Sequence, residues 1–223
     1  MATGGVRGKS GARGSGFYGN SETSGHVHED EFYSQASAEQ KFDYLMEDLD
    51  LNYDEAEVMI DAFNKFTGGS YESIRRAQND NMPGPMFDVG EQLESYIQQA
   101  PKYYGQGAIY RGIDVNNSVA QNIIDTLSNG GTIDMRGTAS WSSSLKTAKS
   151  FANVGYQSGT SNKSLIFVLP EGTKMGASIQ HLSRFGKSES EVLVSKLARY
   201  KATSIEMDPD QKYYLIHVTE SMR

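Results

Sequence analysis

Apolar residues recur at helical spacing through one half of this chain and at strand spacing, or in unbroken runs, through the other. Phe42, Leu45, Met46 and Leu49 follow at three- and four-residue intervals, which predicts an amphipathic helix over about 38–49. Met59, Ile60, Phe63 and Phe66 predict a second over about 53–66. Its first turn carries Asp54 and Glu55, where the helix dipole favours negative charge, and Gly68-Gly69 ends it. A short third helix follows over 71–77. Pro83-Gly84-Pro85 breaks the pattern, and a fourth helix is expected over about 88–99 with Leu93 and Ile97 inward.

After Pro101 the period changes. Ala108 to Ile113 reads as a short strand, 119–127 as a helix and Asn129-Gly130-Gly131 as a turn. Small hydroxyl residues then alternate through Thr138-Ala139-Ser140-Trp141-Ser142-Ser143-Ser144-Leu145, along an expected strand edge, with Trp141 facing the core. A helix follows over 146–152 with Ser144 as its N-cap. A polar loop over 154–163 leads to an apolar strand, Ser164 to Leu169, closed by Pro170. Residues 175–188 read mostly as loop. Val192-Leu193-Val194 is a strand, and 203–207 and 213–219 are two more. Helices first and strands afterwards give an α+β fold.

Residues 1–35 are Gly- and Ser-rich with almost no aliphatic side chains. Such a segment buries too little apolar surface to offset its ordering entropy, so it is expected to be a disordered arm ahead of a single domain over 36–223. The 223 residues carry a net charge of -7, which disfavours an electrostatic nucleic-acid binder, although Arg7, Lys9 and Arg13 make the arm locally basic. There is no cysteine, which excludes disulfides, thiolate metal sites and thiol nucleophiles. No apolar run reaches the ~20 residues that span a bilayer, and the N-terminus lacks the apolar core of a secretory signal. A soluble protein is expected.

Three places carry candidate chemistry. Glu189-Ser190-Glu191 places two carboxylates around a serine at the mouth of a strand. If the strand includes them, both carboxylates point to one face with Cα atoms ~7 Å apart. They then either serve two partners in one cleft or form a solvated edge that discourages aggregation. Arg111 lies on a mostly apolar strand between Tyr110 and Gly112. Burying it requires an anion, either a structural carboxylate or a ligand phosphate. The serine run 142–144 offers hydroxyls that can bond to a neighbouring side chain or to backbone. Two further patterns fall short: Thr3 to Ser10 has Thr where a phosphate-binding loop needs Gly, and His26-Val27-His28-Glu29-Asp30 sits in the arm without further metal ligands.

Aromatic-Arg-Gly, then Ser-x-Ser before a helix, then Glu-x-Glu on a strand, in that order, resembles the Arg/Ser-Thr-Ser/Glu class of mono-ADP-ribosyltransferases, which includes bacterial toxins and phage enzymes. The similarity spans about residues 38–220. It takes in Phe66-Thr67-Gly68-Gly69-Ser70-Tyr71 with Ile74, and Ala100-Pro101 running into Ile109-Tyr110-Arg111-Gly112. It continues through Ser142-Ser143-Ser144-Leu145 with Ala148, Ser150, Phe151 and Ala152, and ends with Ser183-Arg184-Phe185 ahead of Glu189-Ser190-Glu191-Val192-Leu193. Ser143 stands where the family has Thr, and the stretch from Phe185 to Glu189 is about one residue longer than usual.

The resemblance implies N-terminal helices followed by two packed, mostly antiparallel sheets around an NAD cleft. It implies that ADP-ribose passes from NAD, as substrate and without a metal, to an arginine of a target protein. Glu191 would stabilise the positive charge that develops on the ribose, and Glu189 would orient the acceptor. Arg111 would meet the pyrophosphate, the Gly112 backbone would take the nicotinamide amide, and Tyr110 would also contact NAD. Ser142 would hydrogen-bond Glu191. Phe151 would pack on nicotinamide and Phe185 would touch the acceptor, with core or loop packing as the alternative for both. No Gly-x-Gly-x-x-Gly follows a strand, so NAD would not be held in the Rossmann manner. Within the same fold the rival is an NAD glycohydrolase. From another class it is a catalytically silent binding or virion protein, and a nucleic-acid acceptor is disfavoured. The lack of a signal peptide fits a toxin, effector or phage enzyme acting in a host cytoplasm after delivery by a phage or an injection system.

Overall fold

The computed structural model describes residues 37–154, 162–184, 189–210 and 212–222. The arm over 1–35, the near-miss phosphate loop, the His26–Asp30 run and Phe185 lie outside them.

Helices come first. Helix α1 (Ala38–Asp43) opens with a reciprocal cap between Ser37 and Gln40. The single helix expected over 38–49 is instead this α-helix followed by a wider π-turn, Tyr44–Asp48. The wider turn lets two neighbours, Tyr44 and Leu45, both face the core without exposure. Helix α2 (Tyr53–Phe66) has the same reciprocal cap between Asn52 and Glu55. Helix α3 (Tyr71–Asn79) follows. Helix α4 (Pro85–Gln99) starts three residues before the apolar pattern does, because Gly84 takes φ +146 and Pro85 supplies a helical φ at the first position.

The remainder alternates: β1 (Ile109–Asn116), α5 (Asn117–Ser128), β2 (Thr132–Ile133), β3 (Ala139–Ser142), α6 (Leu145–Phe151), β4 (Asn162–Leu169), β5 (Gly176–Ser178), β6 (Glu191–Val194), β7 (Ala198–Met207) and β8 (Tyr214–Met222). Ser144 caps α6 by accepting from the Thr147 amide, as the sequence predicts. Among the described residues, the eight strands run in the order β2-β7-β8-β4-β1-β3-β6-β5. Among the described strand pairs, only β4 and β8 run parallel. Strands β1 and β3 meet at one position, Tyr110 opposite Ser142, so the sheet splits there into two leaves. The expected pair of packed, mostly antiparallel sheets is present as layers, joined edge to edge through that one pair.

Two cores result. Trp141, Val192 and Val194 of one leaf meet Ile109, Leu165, Phe167, Ile216 and Tyr200 of the other. Phe63, Phe66, Ile74, Leu93 and Tyr96 of the helices meet Ala177, Ile179, Leu182 and Leu193 on the opposite face of the smaller leaf. That leaf is therefore covered on both sides, and every residue of β6 is buried. Helix α6 lies directly on β1. A Cβ on Gly112 would sit 1.8 Å from the Ala148 carbonyl oxygen, so only glycine admits this contact.

Candidate active site

The ladder between β3 and β6 sets Ser142 opposite Glu191 and Ser140 opposite Leu193. Paired residues project to one side of a sheet, so Ser140, Ser142 and Glu191 share the face that Leu193 turns to the helices. Glu191 is the first residue of β6 and is 3 % exposed. Its Oε2 accepts from Ser183 Oγ at 3.2 Å, and the Ser140 hydroxyl also hydrogen-bonds the carboxylate. Burial pushes this carboxyl up to about 7, and the charge of Glu189 adds to the push; the two serines and the Arg111 charge oppose it.

Glu189 does not lie on the strand. Ser190 takes φ +46, a left-handed conformation that breaks the pleat between the two glutamates, so strand alternation does not relate them. Glu189 sits in the turn ahead of β6, half-buried, and burial raises its pKa as well. The turn is bound to the serine run: Ser142 Oγ donates to the Glu189 carbonyl at 2.5 Å, and the Ser143 amide donates to the Ser190 carbonyl at 3.0 Å. The expected bond from Ser142 to the Glu191 carboxylate is therefore replaced. Ser142 holds the backbone of the turn, and Ser140 and Ser183 hold the carboxylate.

Arg111 is 8 % exposed where β3 peels away from β1. One terminal nitrogen donates to the Ser140 carbonyl, two residues beyond the last paired position, and the other donates to Tyr71 Oη at 3.0 Å. Arg75, one turn along α3 from Tyr71, lays its guanidinium over the Tyr71 ring, 5.2 Å from the centroid. Burial, and then the Arg111 charge, pull Arg75 down to about 10. Burial of the Tyr71 phenol works to raise its pKa, but Arg111 and Arg75 outweigh it and the net shift is downward. The Nε atoms of Arg75 and Arg111 are both buried without a hydrogen-bond partner among the described residues. Two guanidiniums around one phenol, with donors to spare, make a site suited to an anion.

Of the remaining sequence candidates, Gly112 is fixed by the packing of α6, Tyr110 is half-buried at the single pair joining the leaves, and Phe151 is 55 % exposed on the last turn of α6, which removes core packing as its role. Phe185 lies outside the described residues. Sequence reasoning missed Tyr71, Arg75, Ser140 and Ser183. Tyr71 and Arg75 carried a usable signal, an i, i+4 pair on one short helix, and Ser140 stands two residues from Ser142 on the same strand face. Ser183 lies in the Ser183-Arg184-Phe185 stretch of the resemblance but drew no role there, since the loop that brings it to Glu191 has no period. Among the described residues no group of His, Asp and Glu could hold a metal ion, and no helix is long and apolar enough to cross a membrane.

No family model matches the sequence, and neither does any curated protein. Solved structures do match. The ADP-ribosyltransferase Vis, a toxin of Vibrio splendidus, superposes with a TM-score of 0.59 at 23% identity over 86% of this chain and 82% of that one. HopU1 of Pseudomonas syringae pv. tomato gives 0.59 at 15% identity over 83% and 88%. This is the bacterial ADP-ribosyltransferase fold. The C3 exoenzyme of Clostridium limosum shares it at 14% identity, with a TM-score of 0.53 over 87% of this chain and 90% of that one. On the ADP-ribosyltransferase fold of this chain, Glu191, Arg111 and the serine run converge where the two leaves divide.

Proposed function

We propose that this protein transfers ADP-ribose from NAD to arginine side chains of target proteins and releases nicotinamide. The observation that carries this reading is the convergence of a buried glutamate, the buried Arg111 guanidinium and the part-buried Arg75 guanidinium at the split between the leaves, with a second glutamate two residues away in a half-exposed turn. Arg111 and Arg75 have the planar donors that paired phosphate oxygens require, and their unpartnered Nε hydrogens fit the pyrophosphate of NAD. Breaking the bond between nicotinamide and ribose leaves a positively charged, oxocarbenium-like sugar. Ionised Glu191, held by Ser140 and Ser183, would stabilise that charge from a fixed position. Glu189 stands nearer solvent, where an incoming guanidinium would arrive, and would orient it and take its proton.

The choice of acceptor draws support from chemistry and from a neighbour. A cationic guanidinium is a poor nucleophile unless a carboxylate withdraws its proton, and this site has a carboxylate beyond the one assigned to the ribose. Vis has been solved with agmatine, a guanidinium compound; exoenzyme S of Pseudomonas aeruginosa has been solved with carba-NAD and C3stau2 of S. aureus with NAD. A toxin or effector role for this chain is consistent with those neighbours.

The test is incubation of the purified protein with labelled NAD and either agmatine or a cell lysate, beside Glu191→Ala. Label on agmatine and on discrete protein bands, lost in the variant and resistant to conditions that cleave carboxylate esters, supports arginine transfer. Nicotinamide release without labelled acceptor indicates a glycohydrolase. Absence of any NAD turnover overturns the enzyme reading.

A further inference from the structure

Ser190 is the residue that the chemistry above leaves unused, and it has an uncommon backbone. It is not glycine, yet its φ is +46, in a region that L residues with a Cβ rarely occupy. The conformation is held from outside. The Glu189 carbonyl accepts from Ser142 Oγ at 2.5 Å, the Ser190 carbonyl accepts from the Ser143 amide at 3.0 Å, and the Glu191 carbonyl accepts from the Ile179 amide at 3.0 Å. Three consecutive carbonyls are thus fixed, two of them by the serine run. Ser142 is itself fixed, because its Oγ accepts from the Ser144 amide at 3.0 Å, and Ser144 caps α6. The result separates two carboxylates that a regular strand would place on one face: Glu191 is buried and Glu189 half-exposed.

We propose that Ser190 is a positioning residue whose left-handed backbone, clamped by Ser142 and Ser143, places Glu189 for the acceptor and thereby decides whether ADP-ribose passes to a guanidinium or to water. The proposal rests on the reading of the site as an NAD-dependent transferase. With an extended residue at 190, Glu189 would rejoin the pleat and leave the position an acceptor needs, while Glu191 and the arginines would stay where they are. Release of nicotinamide would continue, and capture by the guanidinium would fail.

Substitution at 190 separates these effects through backbone preference. Asn tolerates the left-handed region and Gly enters it freely, whereas β-branched Val resists it. Each variant is assayed for nicotinamide release from NAD alone and for ADP-ribosyl-agmatine formation from NAD and agmatine. Ser190→Val is expected to lower agmatine transfer by about tenfold or more while nicotinamide release and the KM for NAD change less than about threefold; Ser190→Asn and Ser190→Gly stay within about twofold of the wild type in both. Should Ser190→Val prove insoluble, Ser190→Thr gives the same β-branching with the hydroxyl retained. Equal losses in both reactions for the β-branched variant, or an Asn variant as impaired as Val, overturn the proposal, because Ser190 would then support the site as a whole. Normal transfer by the Val variant of an active enzyme overturns it alone. A wild type that releases no nicotinamide overturns the transferase reading, and this proposal with it.

Discussion

Glu191 combines burial with a proposed task that requires charge, and the two pull in opposite directions with pH. Its carboxyl is protonated below about 7 and ionised above. If the ionised form stabilises a positive sugar, as proposed, kcat/KM for NAD should rise with pH through about 7 and then level off, a limb absent from Glu191→Gln. Stability has the opposite sign. A folded-state pKa above the ordinary 4.5 means that the folded state binds the proton more tightly than the unfolded chain does. Stability is therefore full below pH 4.5 and is lost as pH rises towards 7, by on the order of 3 kcal/mol at most. Glu191→Gln should accordingly raise the thermal midpoint at pH 8, leave it nearly unchanged at pH 4, and lower NAD turnover by at least about 100-fold. A midpoint that moves equally at both pH values would contradict this account of the residue.

Between elements, a polar knot sets where β3 begins. Glu94 of α4 is buried and accepts from Thr138 Oγ1 at 2.5 Å, from Ser195 Oγ at 2.6 Å and from the Lys196 amide at 2.8 Å, and Gln78 of α3 exchanges two hydrogen bonds with Thr138. Removing the carboxylate orphans these buried donors, so Glu94→Ala should cost about 3 kcal/mol or more, measured by denaturant unfolding. A loss below about 1 kcal/mol would mean that the knot is not buried in solution. Gly112→Ala should displace α6 from β1 and destabilise by a similar amount, because a backbone oxygen stands where the methyl would go. Much at this scale was legible. The helices were readable from their apolar stripes, and β1, β3, β4 and β6 from apolar runs and their flanks. Strands β2 and β5, two and three residues long, are too short to show alternation. The turn at Ser190 was not legible either, since a serine gives no sign of a positive φ, and that hidden turn misled the reading of Glu189 and Ser142. Arg111 and Glu191 were readable from their motifs, whereas Arg75 needed the third dimension to find its neighbour.

At the scale of the whole molecule, the smaller leaf serves both cores. Its β6 gives Leu193 to the helices and Val192 and Val194 to the other leaf. The helical layer therefore cannot melt without uncovering the sheet. The chain's one tryptophan, Trp141, is 1 % exposed and packs at 5.3 Å from Tyr200 across the leaves, so its fluorescence reports on the inter-leaf core. Tryptophan fluorescence and far-ultraviolet circular dichroism should trace one coincident unfolding curve. Separate midpoints would show that the helices and the divided sheet unfold apart.

The position of β8 sets a timetable for synthesis. This strand, which follows the other described strands in chain order, lies inside the sheet between β7 and β4. Until residues 214–222 leave the ribosome, β4 has one unpaired flank, the core around Phe167 and Ile216 lacks a wall, and the leaf that orients Arg111 is open. A nascent chain therefore carries Glu189 and Glu191 before it carries the strand that completes the sheet. On the proposed reading, a chain short of β8 would lack the supported leaf that the site needs, and it would expose the flank of β4 that β8 otherwise pairs.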